Sequence, residues 1–319
     1  MSVFRLGLQI PTFQYRDTRA AQLLDRLTEI ANVAESAGFD AVFSMDHLHQ
    51  VMGQPTDWLL DGSTMLAALS ARTSRVGLGM MVGGVTYRNP AQLAKMTTTL
   101  DVLSGGRAIL GIGAGWHEAE HHSYGIEFPP MAERLERLEE ALQVLRSMFT
   151  NTVTTFEGTR YRVWEAINSP QPIRGDIPIV VGGTGRKLLR LVARYADASN
   201  MIAGPDVASI RELVEVIGEH CVAIGRDPKE VSKTRTALLV TAKTRGQARE
   251  KLAAFKRLTG RTDEQLRSLA IVDSLSGIAD QVSTMLEAGL DGFMFLLPEP
   301  DDLNTLQSVG GALGPLLAP

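Results

Sequence analysis

Short apolar runs alternate along this chain with longer stretches in which apolar residues recur every three or four positions. The first pattern marks strands buried on both faces, and the second marks helices with one buried face. A first strand is read at Arg5–Ile10. The helix after it spans Thr18–Ala37, with Leu23, Leu27 and Ile30 on one side and Gly38 as the stop. Further strands are expected at Ala41–Ser44, Arg75–Met81, Arg107–Ile112, Ile177–Val181, Ala198–Ile202, Thr234–Val240 and Gly292–Leu297. Helices fall between them at Ser63–Ala71, Pro90 to about Leu103, Met131–Met148, Arg186–Tyr195, Val207–Ile224 and Ser276–Ala288. Pro90 sits in a first helical turn, where a missing amide costs least.

Two stretches depart from the rhythm. Val153–Trp164 carries β-branched and aromatic residues on both sides of Glu157-Gly158, which predicts a β-hairpin inserted at about 152–165. Arg245–Leu269 predicts one or two helices. Eight strands with crossover helices make an α/β fold, a (β/α)8 TIM barrel with rim insertions, taken as one domain over residues 1–319. An open doubly wound sheet would place a glycine fingerprint near the start, and the sequence has none there.

The strand ends point to an enzyme. Val42-Phe43 runs into Asp46 and His47, and Val76–Met81 runs into Gly83 and Gly84. Ala108–Ile112 runs into Gly113, Gly115 and Trp116, and Ile177–Val181 into Gly182, Gly183, Thr184 and Gly185. Ser199–Ile202 ends at Ala203-Gly204, and Phe293–Leu297 at Pro298. Active sites of such barrels are built at the carboxyl ends of the strands.

Composition narrows the class. With 32 basic and 36 acidic residues the net charge is −4, which offers nothing to nucleic acid or anionic membrane as a whole. The uncharged stretch Leu303–Pro319 is broken by glycine, proline and polar residues, so no membrane span is expected. A single cysteine, Cys221, excludes an internal disulfide framework and makes the cytoplasm the expected compartment.

Each cluster has a chemistry and a plainer alternative. Gly182-Gly183-Thr184-Gly185 follows a strand and opens a helix, so bare amides and the helix dipole form a phosphate cradle; a tight turn is the other reading. Asp46-His47 pairs an imidazole with a carboxylate, as proton transfer requires, while a structural rim histidine remains open. His49 reads as solvent-facing. Gly83 and Gly84 after Met81-Val82 allow close approach of a flat ligand. His117-Glu118-Ala119-Glu120-His121 matches H-E-x-x-H formally, which raises a zinc hydrolase using His117, Glu118 and His121. That motif needs a long amphipathic helix, and here it stops at Tyr124-Gly125.

The segments Phe39–Leu48, Gly79–Pro90, Leu100–Trp116, Asn168–Gly185 and Leu191–Asn200 resemble the bacterial luciferase-like flavin and deazaflavin oxidoreductases. Within these they are most similar to the branch dependent on coenzyme F420. The resemblance runs from about Leu6 to Gly204 and rests on phrases such as Thr99–Arg107 and Asn168–Pro172. It implies hydride transfer between the deazaflavin C5 and a small organic substrate, with FMN and monooxygenation as the alternative within the family. It also implies cofactor contacts at Asp46, Met81, Val82, Gly83, Gly84, Ala114, Gly115, Trp116 and Gly182 to Gly185. His47 falls where related enzymes transfer a proton, Met81-Val82 where they have a cis peptide, and a homodimer is usual. Trp116 stands where the sugar-phosphate dehydrogenases of this family carry a proton-donating glutamate. The resemblance therefore implies an apolar or planar substrate rather than a sugar phosphate. The rim loops Leu48–Leu60, Val153–Trp164 and Arg245–Ser274 are expected to select it.

Overall fold

The eight apolar segments lie side by side as a closed parallel sheet in the computed structural model, which describes residues 2–202 and 206–318. The barrel strands are β1 Leu6–Ile10, β2 Ala41–Ser44, β3 Gly77–Met80, β4 Ala108–Gly113, β5 Ile179–Gly182, β6 Ala198–Met201, β7 Ser232–Ala242 and β8 Gly292–Leu296. Each pairs in parallel with the next, and β8 returns to β1 through Met294 opposite Gly7. The Ala203-Gly204 strand end lies outside the described residues.

Alternation divides the side chains between two cores. Leu6, Leu8 and Ile10 face the helix layer, packing with Leu27, Ile30 and Ala34 of the helix Leu23–Ala37. The interior holds a smaller cluster that includes Phe43, Ile109, Val180, Ala198, Met294 and Met81. Local signals explain the helix limits. Gly38 takes φ 99° after Ala37, and Asn89 caps the helix Pro90–Ser104 by accepting the Ala91 amide at 2.9 Å. Residues 20–22 form a 3-10 turn, so the first helix starts at Leu23 rather than Thr18.

The hairpin forms from Val153–Glu157 and Arg162–Ile167. Its turn is fixed from outside, because Glu140 accepts the amides of Thr159, Arg160 and Tyr161 at 2.8 Å each. Two elements were not expected. Ala270–Ser274 is a strand pairing with Leu238–Ala242, the far end of β7, after helices Arg245–Thr259 and Asp263–Leu269. Leu303–Leu317 is a helix, and its Gly310 packs so closely on Ala37 that a Cβ would lie 2.6 Å from the alanine Cβ.

Along the interior ladder, Gly79, Gly111, Gly113 and Gly182 leave the upper wall of β3 to β5 without side chains. Val82 drops into that space from above. A Cβ on Gly182 would lie 2.7 Å from Val82 Cγ2, and one on Gly113 3.0 Å from it. Gly182→Ala is therefore expected to lower stability by about 1–3 kcal/mol through overpacking. Adding Val82→Ala to the same chain should recover part of the loss. Thermal unfolding of the single and double variants checks this, and a Gly182→Ala protein as stable as the parent would contradict the packing.

Candidate active site

Residues 45 to 49 leave β2 at the carboxyl end of the barrel, and their two ionisable neighbours part company there. Asp46 is 5% exposed and accepts from Arg88 at 2.7 Å and from the Gly84 amide at 3.2 Å. Arg88 also reaches Asp61 at 3.6 Å, the residue that caps the helix Gly62–Ser70. Burial pushes the Asp46 carboxyl up to about 6, against the pull of Arg88 and the amide.

His47 turns to a different acid. Its Nδ1 lies 2.9 Å from Glu120 Oε2, and Glu120 is fully buried in the short helix Glu118–Ser123. The same carboxylate accepts the Tyr87 hydroxyl at 2.5 Å, the His49 amide at 3.1 Å and the Leu48 amide. Burial alone raises the Glu120 carboxyl, but the hydrogen bonds from His47, Tyr87 and Leu48 outweigh it and hold it down at about 2. A carboxylate only accepts, so His47 Nδ1 carries the proton. Among the described residues Nε2 has no hydrogen-bond partner. The sequence suggested Asp46 as the partner of His47; the structure assigns that place to Glu120. Adjacent residues on an extended segment point to opposite sides, which separates Asp46 from its neighbour.

The H-E-x-x-H segment does not lie on the long continuous helix that a zinc site of that kind uses. His117 precedes the helix as its cap, Glu118 is exposed, and His121 is fully buried. His121 Nδ1 donates to the His117 carbonyl at 2.9 Å, and Nε2 accepts from the Thr86 hydroxyl at 2.6 Å. Both ring nitrogens are thus engaged, and Tyr87 stacks on the ring at 4.6 Å. No group of three or more His, Cys, Asp or Glu among the described residues is placed to hold a metal.

Ala114, Gly115 and Trp116 leave β4. Arg134 donates to the Ala114 and Gly115 carbonyls from below while its guanidinium lies 3.9 Å over the Phe128 ring. Trp116 is 65% exposed, stacks on His117 at 4.7 Å, and meets the His47 ring edge-on at 5.3 Å. His49 is half-buried rather than solvent-facing, with its ring 5.0 Å from His117.

Between these loops the Met81–Val82 peptide is cis. The Met81 carbonyl accepts from buried Gln9 at 2.7 Å, and the Met81 amide donates to the Ser44 carbonyl at 2.9 Å. Gly84 pairs with Gly113, which pairs with Gly182. A continuous glycine rim therefore runs from the amide that holds Asp46 to the turn that begins at Gly182, over two ladder steps of about 4.8 Å each.

At its far end Gly183 adopts φ 139°, and its amide donates to Asn200 at 3.0 Å, so that amide is not free. Gly185 caps the helix Arg186–Tyr195 without a side-chain hydrogen bond, and Leu189 makes the first helical bond, to Gly185. The amides of Arg186, Lys187 and Leu188 thus precede the hydrogen-bonded ladder, beside exposed Thr184 and Gly185. A Cβ on Gly185 would meet nothing within 4 Å. Open space, first-turn amides and the helix dipole fit a phosphate.

Reading the sequence alone does not single out Glu120, Tyr87, Arg88 or Gln9. Glu120 was hidden by the more familiar motif that overlaps it. A single buried-facing Glu in a two-turn helix after the Trp116 loop was the available signal.

A sequence profile of the family described as "Luciferase-like monooxygenase" matches residues 4–286. An F420-dependent glucose-6-phosphate dehydrogenase from Microbacterium testaceum is 35% identical over 189 residues, covering 57% of this chain and 54% of the relative. The match thus spans about half of that protein's length. One of the same description from Kineococcus radiotolerans is 28% identical over 321 residues, covering 92% and 93%. Among solved structures, an F420-dependent secondary alcohol dehydrogenase in complex with an F420-acetone adduct superposes with TM-score 0.84. It has 19% identity and covers 100% of both chains, a likeness of fold.

The Glu120 cluster carries a testable consequence. Its depressed carboxyl contributes stability that is fully present above about pH 4.5 and is lost as pH falls toward about 2. Glu120→Ala should therefore unfold at lower temperature at neutral pH, by about 2–5 kcal/mol for the stranded donors. It should also show a shallower loss of stability over that acid window than the parent, whereas exposed Glu118→Ala should change neither. Thermal melts at a series of pH values measure both, and parallel curves for all three proteins would sink the assignment.

Proposed function

This chain belongs to the luciferase-like monooxygenase family, and from that premise we propose that it is a coenzyme F420-dependent oxidoreductase. The observation that carries the reading is the rim itself. A braced imidazole with a bare Nε2 stands at one end of a glycine-lined ledge, and uncapped helix amides stand at the other. The relatives described as F420-dependent support the choice of deazaflavin; FMN with monooxygenation is the second reading, favoured by the family description.

Thr184, Gly185 and the amides of Arg186, Lys187 and Leu188 would hold the cofactor phosphate. Met81, Val82, Gly83, Gly84, Ala114, Gly115 and Trp116 would line its ring, with Asp46 at the ring's polar edge. When bound, the coenzyme supplies a two-electron hydride carrier. His47 does the proton work at Nε2, because Glu120 fixes the other nitrogen as a donor and sets the ring plane. Arg88 and the Gly84 amide both donate to Asp46 Oδ2, which fixes the carboxylate in place as a binding group.

The substrate is a small apolar or planar molecule. Trp116 supplies an exposed indole beside His47, and both guanidiniums that reach these loops are committed, Arg88 to two carboxylates and Arg134 to two carbonyls. A phosphorylated sugar finds no free cation from either. We place the enzyme in the cytoplasm as a homodimer built from one barrel domain with a rim hairpin. The single cysteine and the resemblance support this; no helix among the described residues is long and apolar enough to cross a membrane.

His47→Ala should lower turnover about 100-fold or more while leaving the cofactor Kd within about threefold. Fluorescence titration and steady-state rates with a planar, uncharged acceptor separate the two effects, and unchanged turnover would remove His47 from the chemistry. Titrating the cofactor-free protein with F420 and with FMN tests the cofactor. Tight FMN binding without F420 binding would reverse the choice.

A further inference from the structure

The hairpin that packs on the helix Met131–Thr150 has one face that the fold accounts for and one that it does not. Val153–Glu157 and Arg162–Ile167 pair only with each other among the described residues. Toward the barrel, Thr154 and Val163 are buried, and Phe156 and Ala166 pack on the main core. The Thr154 hydroxyl meets that of Ser147 at 2.9 Å, so this side is also satisfied. On the other side Val153, directly opposite Ile167, is 52% exposed, Ile167 is 66% exposed and Trp164 79%.

A backbone irregularity brings Trp164 and Ile167 to the same side. Strict alternation would turn residues three apart to opposite faces. Here the register slips, and Thr155 alone stands across from Trp164 and Glu165. Glu165 takes φ 47°, in the left-handed region, and its amide donates to the Thr155 hydroxyl at 3.0 Å. The extra residue resets the phase, so that Val163 and Ala166 both point inward and Trp164 and Ile167 both outward. A glutamate is strained in that region, and strain of this kind gathers where a surface is used.

We propose that this outer face is where two copies of the chain pair about a two-fold axis, with Trp164 at the centre of the contact. It gives the homodimer proposed above its contact surface, and it rests on that reading but not on the coenzyme. The bulge at Glu165 interrupts Arg162–Ile167 as an edge for a further strand, which leaves the face rather than the edge to make the contact. The charges beside the apolar trio are Glu157, Arg162 and Glu165, two acids to one base, so an anionic membrane is not attracted. A second copy is matched by them. Glu157 and Arg162 are both exposed and 3.9 Å apart, a loose pair that leaves each able to meet its opposite across the axis. The trio exposes on the order of 400 Å², the size of patch that marks a contact surface. A stable dimer covers about 800 Å² per partner, so the trio supplies the apolar centre and the flanking charges the rim.

Sedimentation velocity of the full chain at micromolar concentration tests the pairing. The parent should sediment as two chains of 34.6 kDa each. Trp164→Glu should weaken the dimer about 30-fold or more, as loss of a central tryptophan does, and shift the boundary to the monomer. Trp164→Phe should keep the dimer. Arg162→Glu leaves only acids beside the trio and should weaken pairing more at low salt than at high. Val222→Glu, at a comparably exposed apolar position on the helix Val207–Ala223, should change nothing. Far-UV circular dichroism checks the folding of each variant, and should Trp164→Glu misfold, the exposed Arg162→Glu decides. A parent that is monomeric throughout would overturn the face and the homodimer together. A dimer left intact by Trp164→Glu and Arg162→Glu would overturn the face alone, and so would a dimer that Val222→Glu breaks equally. None of these results bears on the coenzyme, which the titrations with F420 and FMN decide.

Discussion

One buried carboxylate holds the working end of this barrel together. Glu120 has no exposed surface, and a charge in such a place survives only if donors surround it. The donors come from two other loops: the His47 ring with the Leu48 and His49 amides after β2, and the Tyr87 hydroxyl after β3. Three strand ends thus converge on a single group. Tyr124 adds a further tie from the same helix, donating to the Leu48 carbonyl at 2.8 Å. Asp46 shows the contrast. It is almost as buried, but one guanidinium and one amide do not repay its burial, so its carboxyl is raised while that of Glu120 is depressed. Two acids on one rim therefore do different work. Glu120 is a fixed anion that sets a tautomer, and Asp46 is a carboxyl that burial pushes up against its guanidinium partner.

The other constraint is space. The upper wall of β3 to β5 is bare because glycine occupies each inward position, and the volume is returned by Val82 from a peptide that bulges over it. Gln9 of β1, two strands away, secures the bulge through the Met81 carbonyl. The ledge is consequently flat, rigid and free of side chains above the valine. Polar Asn200, Thr234 and Thr236 form a closed hydrogen-bonded set on the β6 and β7 side, at 3.1 and 2.6 Å. Apolar packing and polar satisfaction together leave one broad bare surface at this end of the barrel.

Much of this was legible in the sequence, for a physical reason. Strands buried on both faces must be continuous apolar runs, and the glycine and acid residues that end them are costly unless they serve a site. That logic found all eight barrel strands and the hairpin. It missed Ala270–Ser274, which contains Asp273 and follows a helix directly, so no turn announced it. It missed the helix Leu303–Leu317, whose glycines read as breaks although Gly310 is there to let the helix touch Ala37. At the strand ends it singled out His47 and the glycines 182, 183 and 185, but it set the histidine beside Asp46 where the structure gives it Glu120. Proximity in sequence is a poor guide to pairing when adjacent side chains leave the backbone on opposite sides. The Gly183 amide illustrates the same limit: a strand-end glycine looks bare until its neighbour, here Asn200, is known to take the donor.

The loops that shape the mouth are not independent of one another. Met45, Met52 and Leu296 form one apolar cluster with Val240, Phe255, Leu266 and Leu269, which joins the loop after β2 to the two helices inserted after β7. Arg261 reinforces the joint by donating to the Val51 carbonyl at 3.2 Å. A change in the segment 48–60 must then be accommodated by residues about two hundred positions away. Val82, which covers the glycine rim, packs instead with the cluster inside the barrel. The glycine rim and the loop after β2 thus rest on different packing units of one barrel end. Such a division lets the mouth vary while the ledge, the braced imidazole and the uncapped helix stay fixed.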